Sequence, residues 1–121
     1  MVQLKKLTAV FLLLLATGWA EHKSATLQFL VVKNENGKPV RNAEIVLHPV
    51  DKQGKQKSDG AEGKTHEDGK AQINRIPYGK VRVQVIAPGF KTFGEDFEVN
   101  QPTHEITIKL QKPSEQYSIY K

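Results

Sequence analysis

Between Thr65 and Phe90 the chain reads THEDGKAQINRIPYGKVRVQVIAPGF, and this stretch limits the possible fold more than any other. A first turn, Glu67-Asp68-Gly69-Lys70, and a second, Ile76-Pro77-Tyr78-Gly79, bracket a short apolar-alternating segment. Val81, Val83 and Val85 then alternate with Arg82, Gln84 and Ile86, the period-2 pattern of a half-buried strand. Pro88-Gly89 ahead of Phe90 closes the stretch with a corner. So many turn signals so close together leave no room for a helix and point to short strands.

The same grammar extends both ways. Thr26–Asn34 reads as a first strand, with Leu27, Phe29 and Val31 on one face and Leu30 and Val32 making the other face apolar too. Asn36-Gly37 is a turn signal of the type I′ kind, and Pro39, lacking an N–H, belongs at a strand start or an edge. Ala43, Ile45 and Leu47 alternate against Glu44, Val46 and His48. Asp51–Lys64, DKQGKQKSDGAEGK, reads as a long hydrophilic loop with room for one short edge strand. Phe93, Phe97 and Val99 suggest another strand with Gly94 as a bulge, and Ile106, Ile108 and Leu110 mark the last. Roughly seven short strands predict an all-β, seven-stranded antiparallel β-sandwich.

The N-terminus carries a different signal. Lys5 and Lys6 precede an apolar run from Leu7 to Gly18, and Gly18-Trp19-Ala20 has the small-x-small form of a cleavage site. The run is shorter than the ~20 apolar residues of a membrane span. The expected organisation is a signal peptide at 1–20, a polar leader at 21–25, the sandwich domain at 26–111 and a C-terminal tail at 112–121 holding Tyr117 and Tyr120. An uncleaved anchor is the competing reading of the first segment. Cleavage and export imply a periplasmic or secreted protein with no stable membrane insertion afterwards.

Composition narrows the chemistry. The formal net charge of +5 falls by two when Lys5 and Lys6 leave, and the remaining lysines are spread over loops, so a nucleic-acid partner is not expected. Zero cysteines exclude thiol catalysis and cysteine-ligated metals, and leave the fold resting on its core alone. Met1 and Trp19 are the single methionine and tryptophan, so the domain core must come from aliphatic residues and phenylalanine.

Five pieces, in order, resemble the carboxypeptidase regulatory-like domains: Gly37-Lys38-Pro39-Val40, Ala43–Leu47, Thr65–Lys70, Ile76-Pro77-Tyr78-Gly79 and Ala87-Pro88-Gly89-Phe90. The resemblance spans Leu27 to Leu110 and implies a transthyretin/prealbumin-like Greek-key sandwich. It implies a module that is non-catalytic and serves as folding aid, spacer or interaction surface. Gly37, Pro39, Asp68, Gly69, Pro77, Gly79, Pro88, Gly89 and Phe90 then form a structural turn signature, with Pro88-Gly89 expected to carry the chain from one sheet edge to the other.

A relative of the same fold, 5-hydroxyisourate hydrolase, is also resembled at Gly37-x-Pro39, Glu62-Gly63-Lys64-Thr65 and the terminal Tyr117–Lys121. The position of that family's first-strand histidine falls near Leu30, and that of its arginine at Lys64. A hydrolase lacking its general base forfeits about 10²–10⁴-fold in rate. His22, His48, His66 and His104 show no pair at ligand spacing and are read as exposed, with His48 and His104 pointing outward. His66-Glu67-Asp68 beside Asp51 and Asp59 lacks the ligand steps of a calcium loop, and lysines at 52, 55 and 57 oppose a cation. No catalytic residue, metal or cofactor is therefore assigned. Leu30, Val32, Val46 and Ile86 are the candidate interaction surface, provided that their strands share a sheet. The partner is expected to be a protein or a cell-envelope or carbohydrate component. A carbohydrate-binding module is the third reading, weakened by the loss of Trp19.

Overall fold

The computed structural model describes residues 23–113. The expected signal peptide, the first two leader residues and most of the tail, with Tyr117 and Tyr120, lie outside them. Seven strands follow one another: β1 (Ser24–Lys33), β2 (Glu44–Pro49), β3 (Ala61–Lys64), β4 (Lys70–Pro77), β5 (Gly79–Ile86), β6 (Phe93–Val99) and β7 (Thr103–Leu110). They form two sheets, one ordered β4-β1-β7 and the other β3-β2-β5-β6. The expected seven-stranded sandwich is thus what the chain builds, and β3 is the short edge strand that the hydrophilic loop had room for.

One pairing departs from the antiparallel expectation. β1 pairs with β4 antiparallel but with β7 parallel, from Thr26↔Thr103 to Lys33↔Leu110. The remaining ladders, β2·β3, β2·β5 and β5·β6, are antiparallel. Alternation within a strand reads the same for either direction, so periodicity carries no information about this choice.

The core lies between the sheets. β1 contributes Leu27, Phe29 and Val31, β7 contributes Ile106, Ile108 and Leu110, and the opposing sheet contributes Ile45, Leu47, Val81, Val83 and Val85, all buried. Each such side chain is worth about 1.5–3 kcal/mol of transfer free energy on burial. Phe90, Phe93 and Phe97 are partly buried and pack against this cluster from the β6 side.

Three local expectations are corrected. Asn36 does not take positive φ, so no type I′ turn forms. Instead the Gly37 N–H donates to the Lys33 carbonyl at 2.8 Å, Gly37 alone adopts φ 74°, and the Asn36 side chain accepts the Lys38 N–H. Gly94 pairs in register with Gln84 and is no bulge. The irregularity falls on β4, where Ala25↔Ile76 is followed by Leu27↔Ile73 and Arg75 stands at φ 61°. Pro88-Gly89 joins β5 to β6 inside one sheet; Pro77-Tyr78-Gly79 instead makes one of the crossings between sheets, from β4 to β5. The Phe90 N–H returns to the Ala87 carbonyl with Gly89 at φ 86°, a turn with proline second and glycine third. Its neighbour Lys91 donates to Gln111 at 2.7 Å and ties this loop back to the end of β7.

Candidate functional site

The four expected interaction residues do not meet. β1 lies in one sheet and β2 and β5 in the other, so Leu30 and Val32 face away from Val46 and Ile86 across the sandwich. Val32 is 9% exposed and bridged by Pro39, which takes it off the surface. Leu30 is half-buried in a depression on the outer face of its sheet, beside Gln28, Gln72 and Thr107. Val46 and Ile86 remain neighbours on the other outer face through the pairs Val46↔Gln84 and Glu44↔Ile86, and Ile86 is 43% exposed. Sheet membership, a long-range property, divides what strand alternation grouped together.

The turn signature has a physical core. Thr65 is 3% exposed, and its hydroxyl donates to the Val40 carbonyl at 2.6 Å while accepting the Ala43 N–H at 2.9 Å. It therefore staples the Val40–Ala43 bend onto the entry to β4. Its neighbour Gly69 adopts φ 79°, and a Cβ there would sit 2.6 Å from the Val31 carbonyl oxygen and 2.9 Å from the Pro39 Cβ. Only glycine fits such an approach. Asp68 accepts the Lys70 N–H, closing the same turn. In the sequence Thr65 marks only the edge of the signature; its burial follows from which loops the fold brings together.

The acidic and imidazole groups are placed separately. Asp51 accepts the N–H groups of Gln53 and Lys55, an Asx-type closure of its own loop. Among the described residues no three His, Asp or Glu side chains gather as metal ligands do. His48 lies on the outer face of β2, as expected. His104 does not point outward: its parallel partner is Leu27, which puts it on the core side of β7 with Ile106 and Ile108, half-buried. The Nδ1 atoms of both histidines are buried and have no hydrogen-bond partner among the described residues.

Two features hold or line open surface. On the outer face of β5 and β6, Arg82 grips Asp96 with bonds of 2.7 and 3.0 Å and reaches the Gly54 carbonyl at 3.4 Å. The paired hydrogen bond holds the Asp96 carboxyl below its usual range and raises Arg82 above its own. The second feature is a cleft of ≈ 410 Å³ at the end of the sandwich where β4 crosses into β5. Leu47, Val50, Ile76 and Val81 contribute apolar lining, Tyr78 stands beside them, and Lys57, Arg75 and Lys80 line it with Asp59. Backbone bonds from Val50 to Lys80 and from Lys57 to Pro49 fix the loop that forms its wall. Sequence reasoning passed over this group because Lys57 and Lys80 are separated by the whole of β3 and β4. The aromatic inside Pro77-Tyr78-Gly79, half-buried in the fold, is the available signal.

A family model for the carboxypeptidase regulatory-like domain matches residues 30–111. No curated protein matches the chain. Among solved structures, the chain is similar to the group B streptococcus pilus 2b backbone protein, with 13% identity, a TM-score of 0.59 and coverage of 77% of this chain and 43% of that one. It is similar to the major pilin subunit BcpA of Bacillus cereus at 18% identity and TM-score 0.55, covering 74% and 30%. It is also similar to the catechol 1,2-dioxygenase of Acinetobacter radioresistens at 14% identity and TM-score 0.62, covering 79% and 54%. The chain spans less than two thirds of each of these proteins, and at such identities the likeness is one of fold. The chain belongs to the carboxypeptidase regulatory-like domain family.

Proposed function

We propose that this member of the carboxypeptidase regulatory-like domain family is an exported, non-catalytic module with a structural or interaction role in the periplasm or outside the cell. The observation that carries the reading is where its ordered polar side chains are used. Thr65, Asp51, Asp68 and Asn36 all bond to turn backbone, and Arg82 and Asp96 pair with each other to hold a loop. These are scaffold roles. The pilus proteins of the same fold lend support, since a backbone or major pilin subunit is itself a structural part. Among the described residues no helix is long and apolar enough to cross a membrane.

The test is to recover the protein from its native cell fractions and determine its N-terminus. Export with cleavage after Ala20 leaves a chain beginning at Glu21 and lacking tryptophan emission. A cytoplasmic protein retaining Trp19 would overturn the localisation. Catalysis is checked separately by following hydroxyisourate decay, which is expected to keep its spontaneous rate in the presence of the purified protein.

A further inference from the structure

The geometry points to the cleft at the β4–β5 crossing as a binding site for a ring-bearing carboxylate of the acidic-sugar class. This rests on the module's being a binding rather than a purely structural one. The first observation is charge. Lys57, Arg75 and Lys80 line the cleft against the single carboxylate of Asp59, and the ion pairs found among the described residues, Arg82–Asp96 and Lys112–Glu35, use none of them. Lys23 adds a further cation with its Nζ 6.0 Å from the centre of the Tyr78 ring. Lys80 is offset in part by Asp96 and Glu98 on β6, while like charges gathered at one cleft repel and an arriving anion reverses the sign of that interaction.

The second observation is strain. Arg75 stands at φ 61° in the irregular segment of β4, a conformation that costs a residue with a Cβ about 1–2 kcal/mol and is usually left to glycine. Strain of this kind persists where the surrounding structure imposes it, and it concentrates at binding sites. Here it occurs at a residue whose planar guanidinium suits bidentate capture of a carboxylate.

The third observation is shape. A volume of ≈ 410 Å³ falls within the range of small-molecule pockets. The half-buried Tyr78 ring and the exposed Pro77 offer apolar surface to the C–H face of a sugar ring, which a bare phosphate would leave unused. Charge selects the anion, and the apolar lining selects a ring attached to it.

Isothermal titration of the purified protein at low salt, with trigalacturonate as probe, tests the assignment. Trigalacturonate is expected to bind, and its methyl ester, tetraglutamate and inorganic phosphate each to bind at least about tenfold more weakly. The Lys57→Gln/Lys80→Gln variant changes two exposed side chains, so its melting temperature should match the parent while affinity drops about tenfold or more. Arg75→Gly, which relieves the strained φ, should likewise lose affinity without losing stability. No binding of trigalacturonate, or equal affinity in the lysine variant, overturns the proposal. Equal binding of phosphate or tetraglutamate overturns the acidic-sugar assignment. None of these outcomes bears on export or on hydroxyisourate decay, so the broader reading stands or falls by its own measurements.

Discussion

The turn at Thr65–Lys70 and the corner at Arg75–Lys80 sit at the two ends of β4 and share one vocabulary of glycine, a neighbouring charge and a nearby proline. They are built on opposite terms. At the first, Gly69 is wedged against Val31 and Pro39, and Thr65 is buried with both its hydrogen bonds made. At the second, a Cβ on Gly79 (φ 127°) would meet nothing within 4 Å, Arg75 is strained, and the cations of the cleft make no ion pair among the described residues. A turn packed from all sides can only hold the fold together. A corner with free space, strain and an excess of positive charge has properties that a ligand can use.

The sharpest break of this comparison comes from adding one methyl group to each glycine. Gly69→Ala combines backbone strain with overpacking and is expected to cost about 3 kcal/mol, read as the midpoint shift in urea unfolding. Thr65→Val keeps the shape but strands the Ala43 N–H and the Val40 carbonyl, with an expected loss of about 2 kcal/mol. Gly79→Ala should lose only about 1 kcal/mol, from backbone strain alone. Were Gly79→Ala to cost as much as Gly69→Ala, the two regions would not differ in the way described.

The smallest effect concerns pH. The Asp96 carboxyl is held below its usual range by the hydrogen bond from Arg82. Its contribution is therefore fully present above the unfolded aspartate value, about 3.9, and is lost as pH falls through the lower folded value. Both groups are exposed, so the melting temperature should move little on acidification. Faster amide exchange around Gly54, whose carbonyl Arg82 also reaches, is the more sensitive measure. Asp96→Asn should remove that pH dependence.

Much of this architecture is legible in one dimension because strand alternation is local. Val81, Val83 and Val85 point inward in the sequence pattern and are buried in the fold. What stayed hidden is what depends on pairing between distant segments. Leu30 and Ile86 carry the same local signal yet lie on opposite outer faces, because β1 and β5 belong to different sheets. His104 shows the other limit: its parity with Ile106 marked it as inward, but a polar side chain on an edge strand is easily read as solvent-facing. The cleft was least legible, since Lys57, Arg75 and Lys80 become neighbours only once β2, β4 and β5 are in place.

The parallel pair of β1 and β7 has a consequence in time. β1 is the middle strand of its sheet, and its partner on one side is the last strand of the domain. The first strand to be synthesised therefore waits for nearly the whole domain before its central position is complete. Loop-closure entropy must be met before that pairing returns any free energy, and folds dominated by such distant contacts take milliseconds to seconds. Until Leu110 is available opposite Lys33, one side of β1 has no ladder partner, and a chain stopped before β7 presents that edge to its neighbours.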